Sequence, residues 1–371
     1  MEYQRLGDYI REVNVRNREL KVTNLLGLSV SKEFMPSIAN TIGTDMSSYK
    51  IVEKGQFVYI ADTSRRGDKI AIALLSYDNA IVSQAYTVFE ITDHDALLPE
   101  YLMMWFRRPE FDRYARFHSH GSAREVFDWS EMCDVRLPVP TIEQQREIVA
   151  EYQTLTDRIN LNQQMIQKLE ATAQALYQKT FVTNIDKENL PPGWRIGTLG
   201  DVANITMGQS PDGQSYNLEG KGTIFYQGRS DFGRRFPSPR VYTTSPTRYA
   251  EAGDILLSVR APVGDINITT YDCCIGRGLA SLRSKTGYQS YLYYLLSDLS
   301  DEFKISDDEG TIFGSINKDD LYNMEIVIPG VTDLHEFESQ TSIIDEEIRI
   351  KDKEIKIFEE LQSLLLAKMG Q

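Results

Sequence analysis

Apolar residues recur at alternating steps of four and three along residues 148–176, which is the heptad spacing of a coiled-coil helix. The seam positions are Ile148, Tyr152, Leu155, Ile159, Asn162, Ile166, Leu169, Ala173 and Leu176. The pattern covers about 40 residues, which predicts a helix roughly 60 Å long at 1.5 Å per residue. A 4-3 phase kept over this length favours a left-handed supercoil with another long helix over packing onto a single domain.

A second seam repeats the first after a displacement of 189 residues. It reads Phe337, Thr341, Ile344, Ile348, Lys351, Ile355, Phe358, Gln362 and Leu365. Each seam has a polar residue near its middle, Asn162 in the first and Lys351 in the second, and one buried polar residue can fix the register of a coiled coil. We expect the two helices to pair antiparallel, because that arrangement brings Asn162 near the level of Lys351.

A predicted strand precedes each helix in the same register. Apolar residues alternate with others from Val135 to Val139 and from Met324 to Ile328, and a proline ends each run. A repeat of about 190 residues is too long for a solenoid unit of ~20 to 50 residues, so we interpret it as duplication of a domain with its trailing helix. The predicted divisions are a first domain at 1–140, a first helix and linker at 141–185, a second domain at 186–330 and a second helix at 331–371.

The register between the two copies drifts upstream of these strands. Tyr101 aligns with Tyr291 at a displacement of 190, and Leu6 aligns with Leu199 at a displacement of 193. Insertions therefore distinguish the two domains. Similar ends and dissimilar middles predict one scaffold that carries two different binding surfaces.

Length and composition narrow the possible classes of protein. A chain of 371 residues fits two domains of ordinary size with one helix each. Apolar stretches are far shorter than the ~20 residues of a membrane span, and the first residues are not typical of a signal sequence, so we expect a cytoplasmic protein without membrane contact. Three cysteines, two of them adjacent at Cys273 and Cys274, provide neither a disulfide framework nor C-x-x-C spacing, and we interpret them as small buried apolar residues.

The net charge of −14 weighs against simple nucleic-acid binding, because phosphates are bound by lysine and arginine. The charge is unevenly distributed, however. Residues 221–285 hold 10 basic and 5 acidic residues, and residues 101–124 hold 5 arginines against 2 acidic residues. Local cationic surfaces on an acidic body are compatible with DNA binding.

Several sequence motifs point to one family. The second half contains LPPGWRIGTLGDVANITMGQSP from Leu190, YAEAGDILLSVRAPVGDINI from Tyr249 and CCIGRGLASLR from Cys273. The first half contains more divergent counterparts: LGD at Leu6, EKGQFVYI at Glu53, IVSQAYTVFEI at Ile81 and LPVPTIEQQREI at Leu137. Through these motifs, and through the order domain, helix, domain, helix, nearly the whole chain resembles the specificity subunit of Type I restriction-modification systems. The first copy lacks the opening Gly-Trp of the second.

The resemblance implies an α+β protein with a pseudo-two-fold internal repeat, in which two mixed, β-rich target recognition domains are separated by a pair of long antiparallel coiled-coil helices. It implies that each domain reads one half of a split, asymmetric site in double-stranded DNA, and that the helices set the gap between half-sites. It also implies docking of two methyltransferase subunits, which carry S-adenosylmethionine and modify adenine, and of restriction subunits (translocase and nuclease) that use ATP and magnesium. The chain itself is expected to bind no cofactor and to catalyse no reaction.

Candidate DNA-reading residues are cationic and amide side chains in the segments that differ between the copies. In the first domain they are Arg65, Arg66, Lys69, Arg116, His118, His120 and Arg124. In the second domain they are Gln209, Tyr226, Gln227, Arg229, Arg234, Arg235 and Arg240, and we expect residues 226–240 to form a loop. Arginine forks suit guanine edges and phosphates, and glutamine pairs with adenine. Solvated charges or internal ion pairs are the alternative for many of these arginines, and Arg260 and Arg277 are as well suited to holding the domain together as to touching DNA.

Two other functions stay open on the sequence. Pro211-Asp212 followed by Glu219-Gly220-Lys221 is similar to the PD...ExK pattern of metal-dependent nucleases, which would make the chain a self-sufficient DNA-cleaving or modifying enzyme. The gap between the two parts is short and rich in turn formers, and His118 and His120 lack a third nearby metal ligand. No amino-methyltransferase motif or phosphate-cradling loop is present. The remaining alternative is a coiled-coil scaffold with no role on DNA.

Overall fold

A computed structural model of the protein describes residues 3–37, 43–63, 67, 69–121, 125–308 and 315–371, without the side chains of residues 301–308. The chain forms two compact units. Unit 1 comprises Met1–Gln163 and Lys353–Gln371, and unit 2 comprises Gln164–Asp352. Each long helix therefore contributes residues to both units. The domain divisions at residues 140, 185 and 330 stay a prediction.

Unit 1 consists of short antiparallel strands with three small helices. The strands are β1 (Tyr3–Arg5), β2 (Ile10–Val13), β3 (Leu26–Leu28), β4 (Phe34–Pro36), β5 (Lys50–Val52), β6 (Phe57–Tyr59), β7 (Ile72–Leu74), β8 (Ala80–Val82), β9 (Thr87–Ile91) and β10 (Arg136–Pro138). The helices are α1 (Pro99–Arg107), α2 (Pro109–Phe117), α3 (Trp129–Asp134) and the first long helix α4 (Ile142–Tyr177). A four-stranded sheet has the order β2-β9-β6-β7, and β3 pairs with β4, β5 with β8, and β1 with β10.

The core of unit 1 is rich in aromatic side chains. The rings of Phe57 and Phe89, on the neighbouring strands β6 and β9, stack with their centroids 4.9 Å apart. Phe106 of α1 meets both rings edge-on, so this helix covers one face of the sheet. On the opposite face, Val58 and Val88 belong to a second buried cluster. Because the sheet is covered on both faces, its central strands contain almost no exposed side chains.

Unit 2 contains the remaining strands and helices. The strands are β11 (Arg195–Thr198), β12 (Ala203–Met207), β13 (Tyr216–Asn217), β14 (Thr223–Tyr226), β15 (Tyr242–Thr243), β16 (Tyr249–Ala250), β17 (Ile255–Ser258), β18 (Ile266–Ile268), β19 (Cys273–Ile275), β20 (Leu279–Ser284) and β21 (Glu325–Ile328). The helices are α5 (Leu199–Val202), α6 (Gln289–Asp308), α7 (Lys318–Tyr322) and the second long helix α8 (Val331–Lys368).

The strands of unit 2 form two larger sheets and one strand pair. One sheet has the order β12-β20-β17-β18, and the other has the order β13-β15-β14-β19-β16 with β14 and β19 parallel. β11 pairs with β21 just as β1 pairs with β10 in unit 1, so the predicted strand before each long helix is present in both units. Cys273 and Cys274 are fully buried in β19, which confirms their interpretation as core residues, whereas Cys133 is half-buried.

The first long helix begins at Ile142, upstream of the first seam residue at Ile148. Its start is set by a capping box, in which the Gln144 backbone N–H donates to Thr141 Oγ1 at 3.4 Å and the Thr141 N–H donates to Gln144 Oε1 at 3.3 Å. Every predicted seam side chain of both long helices is buried or half-buried. None of the helices in the described part of the chain is long and apolar enough to cross a membrane.

The two long helices run antiparallel within each unit. In unit 1, Gln362 Nε2 donates to Thr156 Oγ1 at 2.7 Å and Asn162 Nδ2 donates to Glu354 Oε2 at 2.9 Å, so residue numbers fall in α8 as they rise in α4. The polar seam residue Asn162 is thus buried with a hydrogen-bond partner, as burial of an amide requires. In unit 2, the other polar seam residue, Lys351, lies 3.5 Å from Glu347 of its own helix.

Candidate nucleic-acid interface

Three of the four candidates that the structure describes in unit 1 are engaged with acidic neighbours. Arg116 forms an ion pair with Glu125. His118 Nδ1 lies 2.8 Å from Glu131 Oε2, and His120 Nε2 lies 3.6 Å from the other oxygen of the same carboxylate. Lys69 is exposed. Three further candidates lie outside the described residues: Arg65, Arg66 and Arg124.

Three arginine candidates in unit 2 are partly exposed but held by carboxylates. Arg229 Nε is 2.7 Å from Asp265 Oδ2, and Arg234 Nη2 is 3.2 Å from Glu170 Oε2. Arg240 Nη2 is 2.5 Å from Asp231, whose carboxylate is buried. These contacts are the internal ion pairs that the sequence left open as the alternative to DNA binding.

The structure corrects two candidates, Tyr226 and Arg235, because neither side chain reaches the surface. Tyr226 ends β14, which lies between β15 and β19 in its sheet, and its side chain is fully buried. Arg235 is 2% exposed because its segment folds back onto the long helices. The expected loop over residues 226–240 is also interrupted, since Tyr226 is in a strand and Arg229–Asp231 form a 3-10 turn.

An open cleft of about 720 Å³ lies in unit 2, where the turns after several strands converge. It is lined by Gln209, Ser210, Pro211, Gly213, Tyr216, Phe225, Gln227, Arg260, Arg277 and Gly278. The rings of Tyr216 and Phe225 lie 4.9 Å apart and supply an aromatic wall. The amides of Gln209 and Gln227 are exposed. The cleft therefore combines flat apolar surface with hydrogen-bonding groups and positive charge.

Glycines allow the cleft to form, because they let three backbone segments touch. A Cβ on Gly208 would lie 2.2 Å from the Gly276 carbonyl oxygen, and a Cβ on Gly276 would lie 2.9 Å from the Gln227 carbonyl oxygen. Only glycine fits contacts this close. The Gln209 N–H donates to the Ile275 carbonyl at 2.9 Å across the same junction. The glycine-containing motifs thus bring Gln209, Gln227 and Arg277 to one rim.

Arg260 and Arg277 differ from the ion-paired Arg229, Arg234 and Arg240. Both are exposed, and within the part of the chain that the structure describes neither guanidinium forms an ion pair or a side-chain hydrogen bond. The Arg277 backbone N–H donates to Ser210 Oγ at 3.2 Å, which fixes the turn while leaving the side chain available. Among the described residues, therefore, no carboxylate compensates their charge at the cleft. The sequence feature that could have identified these two arginines is their position in the motifs GDILLSVRAPVG and CIGRGLA, where both lie close to glycine turns.

The aspartate at the start of the nuclease-like pattern has a structural role. Asp212 caps a 3-10 turn by accepting from the Gln214 N–H at 3.0 Å. Lys221 Nζ lies 3.9 Å from Glu219 and both are exposed, as expected of surface charges. Within the described ranges, no three histidine, cysteine or acidic side chains gather in a way that could hold a metal ion.

Comparison with known families finds two matching segments in the chain. Residues 20–171 and 191–353 each match the Type I restriction modification DNA specificity domain. The chain belongs to this family. The two matches cover most of the sequence, one on each side of the linker between α4 and β11, so the internal repeat is a repeat of specificity domains.

Individual members of the family show how far the likeness extends. A putative type I restriction enzyme specificity subunit of Methanocaldococcus jannaschii is 29% identical over 279 residues, which are 72% of this chain and 65% of that protein. A second type I specificity subunit of that organism is 23% identical over 308 residues, with 75% and 70% covered. The match therefore spans about 65% of the first relative's length.

A solved structure confirms the fold class. The Type I restriction-modification S subunit from M. genitalium aligns over 100% of this chain and 96% of its own length, with a TM-score of 0.64 at 13% identity. At this identity the likeness concerns the fold.

Proposed function

We propose that the chain reads a bipartite, asymmetric site in double-stranded DNA, with one half-site for each specificity domain, on behalf of a methyltransferase complex. Membership of the specificity-domain family supports DNA as the ligand. The observation that carries the proposal is the cleft of unit 2, in which two exposed arginines that have no carboxylate partner among the described residues stand beside two glutamine amides.

The side chains of the cleft suit the edges of bases and the phosphates between them. A glutamine amide can both donate to and accept from adenine, and an arginine fork can bind guanine or a phosphate. We assign the reading of one half-site to Gln209, Gln227, Arg260 and Arg277. The ion-paired Arg229, Arg234 and Arg240 contribute less, because a carboxylate already occupies the guanidinium that a phosphate would need.

The long helix α8 offers a surface for a partner subunit. In unit 1, Ile357, Leu361 and Leu364 are 45%, 41% and 65% exposed and follow one another at the heptad steps of four and three. They lie apart from the buried seam, so they form a second apolar stripe. We propose that a methyltransferase subunit covers this stripe. The corresponding positions of α4 are Lys168, Thr172 and Ala175, so two methyltransferase subunits would meet unequal helix faces.

The chemistry is assigned to the partners. We propose that this chain is not an enzyme and binds no cofactor, that the methyltransferase subunits bind S-adenosylmethionine, and that restriction subunits using ATP and magnesium join through them in the cytoplasm. A self-sufficient enzyme is distinguished by a direct assay. Purified chain with magnesium or S-adenosylmethionine alone should neither cleave nor methylate DNA, whereas addition of the methyltransferase should produce methylation.

Sequencing of methylated adenine in DNA from cells that express the chain with its methyltransferase tests the split site. We expect a motif of two half-sites separated by a fixed gap. Replacing residues 203–284 with the corresponding segment of another family member should change one half and keep the other. A single continuous motif, or a change in both halves, would contradict the proposal. Methylation that does not depend on this chain would favour the hypothesis of a coiled-coil scaffold with no role on DNA.

A further inference from the structure

A buried arginine ties the specificity domain of unit 2 to both long helices. Arg235 Nη2 lies 2.5 Å from Asp345 Oδ1 of α8, and Nη1 lies 4.0 Å from Glu170 Oε1 of α4. The guanidinium stacks over the ring of Tyr293 at 4.1 Å, and Nη1 donates to the Tyr294 hydroxyl at 3.3 Å. One side chain from the cleft-bearing domain therefore contacts both helices and α6.

The backbone around Arg235 is fixed to the domain that it serves. The Arg235 carbonyl accepts from the Ile268 N–H at 2.8 Å, and the neighbouring Gly233 N–H donates to Asn267 Oδ1 at 3.0 Å. Both partners, Ile268 and Asn267, belong to β18 at the edge of the four-stranded sheet. A shift of the helix pair against this sheet would therefore have to break contacts of Arg235.

The arrangement is poorly explained by stability alone. Arg235 is 2% exposed, and among the described residues its Nε has no hydrogen-bond partner. Taking a guanidinium out of water is costly, and a buried ion pair is often no more stabilising than apolar groups of the same volume. Buried ion pairs are better attested as devices that fix one geometry among several.

Lys32, one of three buried cationic residues in the described part of unit 1, has partners of a different kind. Lys32 is 5% exposed, and its Nζ lies 2.8 Å from Asp112 of α2 and donates to the Phe106 carbonyl of α1. Both partners belong to small helices of its own domain. Lys32 thus holds its own domain together, whereas Arg235 joins its domain to the long helices.

We propose that Arg235 is a positioning residue, which holds the specificity domain of unit 2 at one orientation on the helix pair and so restricts the gap between half-sites that the complex accepts. The proposal rests on the proposed function. It assigns to Arg235 control of half-site spacing, and it leaves base recognition to the cleft. One added base pair moves a half-site by about 3.4 Å and about a tenth of a turn, so a rigid joint should reject it.

The test uses the complex of the full chain with its methyltransferase and duplexes whose gap is one base pair shorter than, equal to, or one base pair longer than the native gap. In the double variant Arg235→Met with Asp345→Asn, no charge is left unpaired between these two residues. We expect methylation of the altered gaps, relative to the native gap, to rise about tenfold, with unchanged half-site sequences. Tenfold corresponds to about 1.4 kcal/mol of lost discrimination. Arg235→Lys, which keeps the charge without the fork, should fall between the double variant and the wild type.

Arg234→Ala is the matched control, since this neighbour contacts the same Glu170 from an exposed position and should leave the gap preference unchanged. An unaltered gap preference in a folded double variant would overturn the proposal, and so would altered base preference in one half-site. If the wild-type complex shows no preference for a split site, the proposed function fails before the role of Arg235 is reached.

Discussion

Arg277→Ala tests whether the cleft of unit 2 binds DNA. The Arg277 side chain is exposed and has no ion pair with any described residue, so its removal should change the free energy of unfolding by no more than about 0.5 kcal/mol. The loss of the Arg277 side chain should instead weaken binding to DNA. If Arg277 forks a guanine, the variant loses about 1–3 kcal/mol of binding free energy, which is roughly a 5- to 150-fold rise in Kd.

The salt dependence separates a base contact from a phosphate contact. A lost phosphate contact makes the slope of log K against log salt concentration shallower by about 0.9, and it weakens all sequences alike. A lost guanine contact leaves the slope nearly unchanged and relaxes the sequence preference at one position. Fluorescence anisotropy of a labelled duplex, titrated with the methyltransferase complex between about 50 and 200 mM salt, measures both quantities.

Arg229→Ala is the matched control for this experiment. It removes the same charge from an exposed arginine of the same unit, but the guanidinium of Arg229 is already held by Asp265 at 2.7 Å. We expect its effect on Kd to be several-fold smaller than that of Arg277→Ala. Equal effects of the two substitutions would refute the reasoning, because they would show that net charge alone matters and that ion pairing does not select the DNA-binding arginines.

Three further predictions concern the cap of α3, the thiols and the helices. Asp128→Ala should lower the free energy of unfolding by about 1 kcal/mol in chemical denaturation, because the Asp128 side chain caps α3. Hydrogen bonds from Ser130 lower the pKa of Asp128. The contribution of Asp128 to stability is therefore present above the ordinary pKa of aspartate and is lost as pH falls through the lowered value. Burial raises the pKa of Cys273 to about 12. A thiol reagent should therefore label the folded chain at Cys133 alone and reach Cys273 and Cys274 only after unfolding. Rapid labelling of Cys273 would contradict the buried position of β19. Deleting one heptad from each long helix removes about 10.5 Å, which should shorten the methylated gap by about three base pairs; an unchanged gap would show that the helices do not set it.

The helices and the repeat were predictable because their signals are local. The heptad spacing from Ile148 and its return 189 residues later indicate a helix pair, and the seam side chains are buried or half-buried in the structure. The strand before each helix follows from alternation over a few residues and a closing proline.

The functional assignment of individual arginines was not predictable in the same way. The sequence shows that residues 221–285 are rich in arginine, but not which of these side chains has a carboxylate beside it. The partner of Arg229 is 36 residues away and the partner of Arg235 is 110 residues away. Since ion pairs form between such distant positions only after folding, residue type and spacing gave no basis for separating Arg235 from Arg277.

The sequence by itself determined the periodic features of this protein: two long helices, a duplicated domain and the family to which its motifs belong. Each depends on the spacing of residues along the chain, which backbone geometry converts directly into helix faces and strands. Tertiary structure alone decided which cations are buried, paired or available, because burial and pairing depend on what the fold brings together. It moved Arg235 from the DNA surface into the joint with the helices, and it left Arg260 and Arg277 exposed at the cleft.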